Sequence, residues 1–555
     1  MALNDNTMNK QDTQKRILLA ILLSFAFFIA YDFLYLQPQQ LQAQQAAKIK
    51  ELEKKTATMD STTHLNKMDV VLPINQKQNV QYQTPINLTV SHNRVLSTIT
   101  TKKSIIKIDD LGRILQVTLL GKQYTNEDGS KIKLFTKNQL KPLEVRFANR
   151  QLNDESFKVA YETSNVLIDA RANVATLNLI QHLSTVTVTK IIKFYPDGHY
   201  DIDISVSNNE PFFITPGFRP DVLADMYADH GALLILDNGT LNIVEDGDLD
   251  KTTDFAGVSA ASSFDRYYAT LLYNMDTKMK VSVMPDNNNN PQIFIHGHKK
   301  LILHGYLGPK EYKVLTSLHP KLSQVIEYGW FTFIAKPMFL MLQFIHDYIG
   351  NWGWTIVLIT ILIKITLYPL AYKGMVSMNR LKELSPKIKQ IQEKYKDDKQ
   401  KASMHMMELY KKEGANPMGG CLPIILQIPV FFAIYRVLLN AIELKGAPWI
   451  LWIEDLALMD PYYVLPILMG ITMFVQQKIT PNQMQDEMQK KIFMMLPIIF
   501  TFFFLWFPAG LTLYWFVNNL FTVAQQYYVN NIFDKAKTMR HNKHLEEKKT
   551  HKQIM

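Results

Sequence analysis

The segment WGWTIVLITILIKITLYPLAY, Trp352–Tyr372, decides how this chain is read. It is almost wholly apolar, and its 21 residues match the roughly 20 that cross ~30 Å of hydrocarbon as a helix. One charge, Lys364, interrupts it. Further spans are expected at about Cys421–Asn440 and Tyr463–Ile479. Ile492–Tyr528 is too long for one crossing, and Pro508-Ala509-Gly510 divides it into two. Ile17–Leu36 is another apolar run, preceded by Lys10, Lys15 and Arg16. A cleaved signal has an apolar core of only about 7–15 residues, so a retained anchor is the expectation. Six transmembrane helices result.

Charge sets their orientation, because Lys and Arg accumulate on the cytoplasmic side. Lys373–Glu413 holds eleven of them and the tail after Asn530 holds seven. The loop Ala441–Tyr462 carries Glu443, Glu454, Asp455 and Asp460 against Lys445 alone. Both termini are therefore expected in the cytoplasm, with the long segment after the first span outside it.

Over all 555 residues the hydrophobic fraction is 47%, the charged fraction 20% and the net charge +10. Such averages suit a soluble protein, but the apolar residues are segregated. Residues 37 to about 325 are polar, and the single cysteine excludes a disulfide scaffold or a cysteine zinc site. Residues 37–75 read as a linker rich in Gln, Lys and Ala. Period-2 runs follow: Ile86, Leu88 and Val90, then Ile114–Leu120. The best hairpin candidate is Thr185–Phe194 and Tyr200–Val206 around Tyr195-Pro196-Asp197-Gly198, since Pro-Asp-Gly between alternating runs is a turn signal. Residues 76–325 are expected to form an antiparallel β-sandwich.

Catalytic motifs are missing. Ser104-Ile105-Ile106-Lys107 and Ser130-Lys131-Ile132-Lys133 fit Ser-x-x-Lys, but the other elements of that site are lacking. There is no His-Glu-x-x-His, Walker loop or Gly-x-Ser-x-Gly. No enzyme activity, cofactor or metal is expected.

Within 326–350, Phe331–Tyr348 reads as an amphipathic helix in the outer interface, with Phe331, Ile334, Met338, Leu342 and Ile345 at helical spacing. The membrane core covers 351–530, with a cytoplasmic helical hairpin at 374–416 and a basic tail at 531–555. Met378, Leu381, Leu384, Ile388, Ile391 and Tyr395 form an apolar stripe on that hairpin, beside Arg380, Lys382, Lys387, Lys389 and Lys394. A docking surface is the first reading, and a solvated loop near anionic headgroups the second.

Lys364 lies nine residues before Lys373, about 13 Å along a helix, so snorkelling to the inner interface competes with a functional role. Thr360 shares its face, Gln427 lies in the third span, and Gln476 and Gln477 lie in the fourth. Tyr514, Asn518 and Gln525 share a face of the last. Together they suggest a wet cavity with one positive charge, although each glutamine could equally be helix–helix glue. A secondary transporter would also bury such groups, but no internal repeat is evident.

Several motifs resemble the YidC/Oxa/Alb family of membrane protein insertases. They are Gly350-Asn351-Trp352-Gly353, Tyr368-Pro369-Leu370, Asn416-Pro417-Met418-Gly419-Gly420-Cys421-Leu422-Pro423, Leu451-Trp452-Ile453, Asp460–Gly470 and Phe504–Leu511. The exported domain and Tyr306-Leu307-Gly308-Pro309-Lys310 resemble the family's Gram-negative bacterial form. The resemblance implies a hydrophilic groove, open to cytoplasm and lipid, through which membrane proteins insert without ATP, alone or with the Sec translocon. It places Lys364 at the groove's positive position, where the Gram-negative form mostly carries arginine. Thr360, Phe431 and Tyr514 match substrate-contact positions, and Trp515 replaces the second of two tyrosines. Expected partners are nascent membrane proteins, the Sec translocon, the ribosome and lipids, without a specific nucleic-acid sequence. The expected location is the bacterial inner membrane.

Overall fold

The computed structural model describes residues 94–554 except 127, 223–228, 327, 397, 416–421 and 481–486. The expected first span and the linker lie outside the described residues. Those described all belong to one compact unit, Tyr82–Met555.

The expected hairpin forms from Thr187–Phe194 and His199–Val206, antiparallel with Phe194 opposite Tyr200. Gly198 closes the turn at φ 95°, and its N–H donates to the Tyr195 carbonyl at 3.0 Å. Only a residue without a Cβ takes that φ cheaply. Val188, Ile192 and Phe194 point inward from one strand, and Tyr200, Ile202, Ile204 and Val206 from the other.

Among the described residues, sixteen strands form a four-stranded and a twelve-stranded sheet. Ile99, Ile106, Val117 and Leu119 of the small sheet share one core with Leu177, Val188, Ile202 and Leu303 of the large one. The pairing departs from the expected all-antiparallel pattern once. Val95–Thr100 takes Leu167–Asp169 as a parallel neighbour.

The junction between the sheets is ionic. Arg113 bridges Asp109 and Glu144, each at 2.8 Å, and Glu144 also holds Arg146 at 2.8 Å. Lys190 projects inward beside them, fully buried, and donates to the carbonyls of Gly112 and Leu143 at 2.9 and 2.8 Å. Buried ions persist only when each charge meets an opposite charge or a dipole.

The helical part follows. Two short helices, α1 (Arg150–Ser156) and α2 (Tyr312–Leu318), belong to the β-domain and its exit. Helix α3 (Thr332–Ile349) ends at Gly350, left-handed at φ 72°. Asn351 then caps α4 (Trp352–Lys394) by accepting the Trp354 N–H. The other helices are α5 (Lys399–Lys412), α6 (Leu422–Asn440), α7 (Val464–Ile479), α8 (Glu487–Phe504) and α9 (Ala509–Ile554).

Two expected boundaries are absent. Helix α4 runs without a break from the apolar span into the basic hairpin, 43 residues or about 65 Å. Helix α9 likewise joins the last span to the tail. The break before α9 stands at Pro508, where the N–H groups of Ala509 and Gly510 donate to Leu458 and Leu456. Among the described residues α4 alone is both long and apolar enough to cross a bilayer, while Gln427–Asn440, Val464–Ile479 and Lys491–Phe504 are shorter apolar helices.

The β-domain is seated on the helices through the loop after α6. Ile442 enters the β-domain core. Arg266 donates to the Leu439 carbonyl at 2.7 Å, and Arg436 pairs with Asp229 at 2.7 Å.

Glu144→Ala removes the carboxylate shared by Arg113 and Arg146. It is expected to destabilise the β-domain by about 3–5 kcal/mol. Hydrogen exchange checks this, with faster exchange expected in Ser104–Asp109 and Thr187–Phe194; unchanged protection would show that the ionic junction contributes nothing.

Candidate functional site

Helices α4 and α9 lie side by side, and polar side chains punctuate their contact. Lys364 is half-buried, and its Nζ donates to Thr522 Oγ1 at 2.7 Å. Thr522 passes its own hydrogen back to the Asn518 carbonyl at 2.7 Å, as threonine does within helices. Gln427 of α6 donates to the Asn518 side chain at 3.1 Å. One seam therefore joins α4, α6 and α9 through Lys364, Thr522, Asn518 and Gln427.

The remaining expected groove residues fall into two groups. Thr360 is buried, and its hydroxyl donates to the Ile356 carbonyl at 2.6 Å, so its hydrogen is used within α4. Tyr514 is also buried. Phe431 meets Trp515 with ring centroids 4.9 Å apart, and Phe504 and Phe500 flank the indole at 5.9 and 6.4 Å. Among the described residues the buried indole N–H of Trp515 has no hydrogen-bond partner. A donor left so is costly, and a passing carbonyl would satisfy it.

The glutamines separate. Gln525 donates to the Lys364 carbonyl at 3.5 Å and belongs to the seam. Gln477 donates to the Phe493 carbonyl and ties α7 to α8. Thr522 was not among the residues singled out from sequence. A threonine in an apolar helix reads as self-satisfied, and only the packing of α9 on α4 brings Lys364 to it.

At the far end of α4 the hairpin closes on itself. Leu381, Leu384, Ile388 and Ala415 are buried together, with Met378, Met406, Leu409 and Tyr410 against them. The apolar stripe is thus spent inside the hairpin. Arg380 donates to the Gly414 carbonyl at 3.1 Å, Lys387 pairs with Glu413 at 2.7 Å, and Lys394 lies over the Tyr395 ring. Lys382 and Lys389 are exposed, as are Met404 and Met407 on the outer side of α5. Glu383 pairs with Lys537 at 3.1 Å, tying the hairpin to α9. Among the described residues no group of three or more His, Cys, Asp or Glu side chains could hold a metal.

The family model described as "60Kd inner membrane protein" matches residues 344–537, and that of the YidC periplasmic domain matches 262–341. A membrane protein insertase YidC of Campylobacter jejuni is 49% identical over 525 residues, 94% of this chain and 97% of the relative. That of Wolinella succinogenes is 44% identical over 94% of this chain and 95% of its own. One from Helicobacter pylori is 42% identical over 98% of this chain and its own full length. The chain belongs to the YidC family of membrane protein insertases.

Proposed function

We propose that the chain inserts nascent membrane proteins into the bacterial inner membrane along the seam of α4, α6 and α9. The reading includes six membrane crossings, cytoplasmic termini and an outward β-domain. The observation that carries it is the Lys364 ammonium, held at Thr522 between apolar helices. A charge there is expensive unless it serves a polar partner or a wet path.

The chemistry needed is transfer, not bond making. A polar tail must cross ~30 Å of hydrocarbon, and a polar seam reaching partway shortens that path. Lys364 attracts an acidic tail more strongly where the local dielectric is low. The seam's amides and the Trp515 N–H offer hydrogen bonds to a passing backbone. The substrate's apolar segment leaves sideways into lipid, driven by burial of its side chains. A membrane potential positive outside pulls each acidic charge outward by about 2.3 kcal/mol per 100 mV. No nucleotide or covalent intermediate is required. The Sec translocon and the ribosome are proposed partners, the latter at the hairpin's exposed lysines.

Reconstitution tests the reading. Vesicles containing the chain and no nucleotide are expected to protect the translocated tail of a single-span client from protease. Lys364→Arg is expected to keep this activity. Lys364→Leu is expected to lower insertion of an acidic-tailed client about ten-fold, the equivalent of ~1.4 kcal/mol, and to affect clients with few tail charges less. Thr522→Val, which removes only the oxygen partner, is expected to show a smaller loss of the same kind. Equal insertion of the acidic-tailed client by wild type and Lys364→Leu would reject the electrostatic role.

The hairpin has its own test. Reversing Lys382, Lys389 and Lys394 to Glu leaves its apolar interior intact, so the fold should persist. Co-sedimentation with stalled ribosome–nascent chain complexes is expected to fall several-fold. Unchanged co-sedimentation would make this loop a solvated spacer.

A further inference from the structure

A cavity of about 440 Å³ opens where the β-domain, α3 and the loop after α6 meet. Tyr124 and Glu311 face it from the β-domain side, Gln343 and Asp347 from α3, and Glu443 and Lys445 from the loop. Its volume is in the range of small-molecule sites, ~300–1,000 Å³.

Most of its charges are already engaged. Glu311 accepts the Tyr124 hydroxyl at 2.6 Å and pairs with Lys103 at 2.9 Å. Asp347 pairs with Lys313 at 2.7 Å. His346 lies flat on Trp352, ring centroids 3.9 Å apart. Three polar groups remain. Glu443 accepts backbone N–H groups only, that of Tyr312 at 3.1 Å. Lys445 has no side-chain partner among the described residues. Gln343 is only 9% exposed and lines the cavity, and its amide makes no hydrogen bond among the described residues. Without a side-chain partner, these three offer one carboxylate, one ammonium and one amide, the complement of a small zwitterion.

Burial pushes the Glu443 carboxyl up to about 7. A cation beside it would favour the carboxylate again. A primary ammonium suits it better than a quaternary one, because only the former donates a hydrogen bond.

The source of the zwitterion follows from α3. Phe333, Leu340, Phe344 and Tyr348 are exposed along this helix, next to the face that carries Gln343 and Asp347 into the cavity. An aromatic stripe of that kind lies in the bilayer interface. The cavity therefore sits at headgroup level.

We propose that this cavity binds the phosphoethanolamine headgroup of an outer-leaflet phospholipid, its ammonium at Glu443 and its phosphate at Lys445 and the Gln343 amide. The bound lipid would fasten the β-domain, α3 and the loop to one another. The inference rests on the outward placement of the β-domain proposed above, which carries α3 to the outer interface.

Native mass spectrometry of the full chain in detergent micelles tests it, with phosphatidylethanolamine, phosphatidylglycerol and soluble phosphoethanolamine as probes. One phosphatidylethanolamine is expected to be retained at least five-fold more tightly than phosphatidylglycerol. Glu443→Gln keeps an oxygen for the Tyr312 N–H and is expected to lower that affinity at least five-fold, as are Lys445→Met and Gln343→Leu. Thermal unfolding without lipid identifies any variant that fails to fold, and the other two then decide. Equal retention of the two lipids, or unchanged affinity in the folded variants, would overturn the proposal. Soluble phosphoethanolamine bound as tightly as the lipid would overturn the lipid as its source. Lipid retention needs no client, so failure here leaves the insertase reading standing, and failed insertion leaves this result standing.

Discussion

An ammonium group flanked by apolar helix must be given oxygen partners or water, and the packing of α4 on α9 follows from that requirement. Lys364 finds Thr522, whose hydroxyl is itself fixed by the Asn518 carbonyl. The same helix pair is tied again farther along α4. Asn379 donates to Asn530 at 2.9 Å, and Glu383 pairs with Lys537. Asn530 also donates to the Ile479 carbonyl at the end of α7. In hydrocarbon the hydrophobic effect does not drive helices together, so close packing and interhelical hydrogen bonds must do so. These polar contacts help assemble the bundle, and those of Lys364, Thr522 and Asn518 also line the route proposed for substrate.

The β-domain is held to this bundle by specific contacts. Ile442 lies within its core, Arg266 reaches the Leu439 carbonyl, and Arg436 meets Asp229. All three come from the end of α6 or the loop that follows it. At its other end α4 is fixed by a close approach. A Cβ on Gly353 would sit 2.1 Å from Trp449 Cδ1, so the helix can start against this loop only with glycine there. The loop after α6 thus positions both the β-domain and the start of the helix that carries Lys364.

Much of this was legible in the sequence, and the remainder was hidden for physical reasons. Alternation and Pro-Asp-Gly located the hairpin of the β-domain, because period and turn chemistry are local. The same alternation puts Lys190 on the inward face with Val188 and Ile192, but it could not show what satisfies the charge, since its partners, the Gly112 and Leu143 carbonyls, come from distant loops. The change of composition at Tyr372 and Lys373 suggested the end of a span, and the helix continues through it. On the proposed topology, composition there marks a change of environment from lipid to water, while the backbone has no reason to stop. The hairpin's apolar stripe lies on α4, but its spacing could not say that α5 would cover it. Lys364, Gln427 and Asn518 stand out in the sequence as members of one polar set within the spans. Thr522 joins them only through the packing of two helices more than a hundred residues apart in the chain.

Substrate is proposed to pass along the seam between α4, α6 and α9. Site-specific photocrosslinking to stalled nascent chains tests it most directly, with probes at Phe431, Trp515 and Thr522 and a comparison probe at Phe502, exposed on α8. The account predicts crosslinks from the three seam positions to the client's tail or its apolar segment, and none to the tail from Phe502. Tail crosslinks from Phe502 with none from the seam would contradict it.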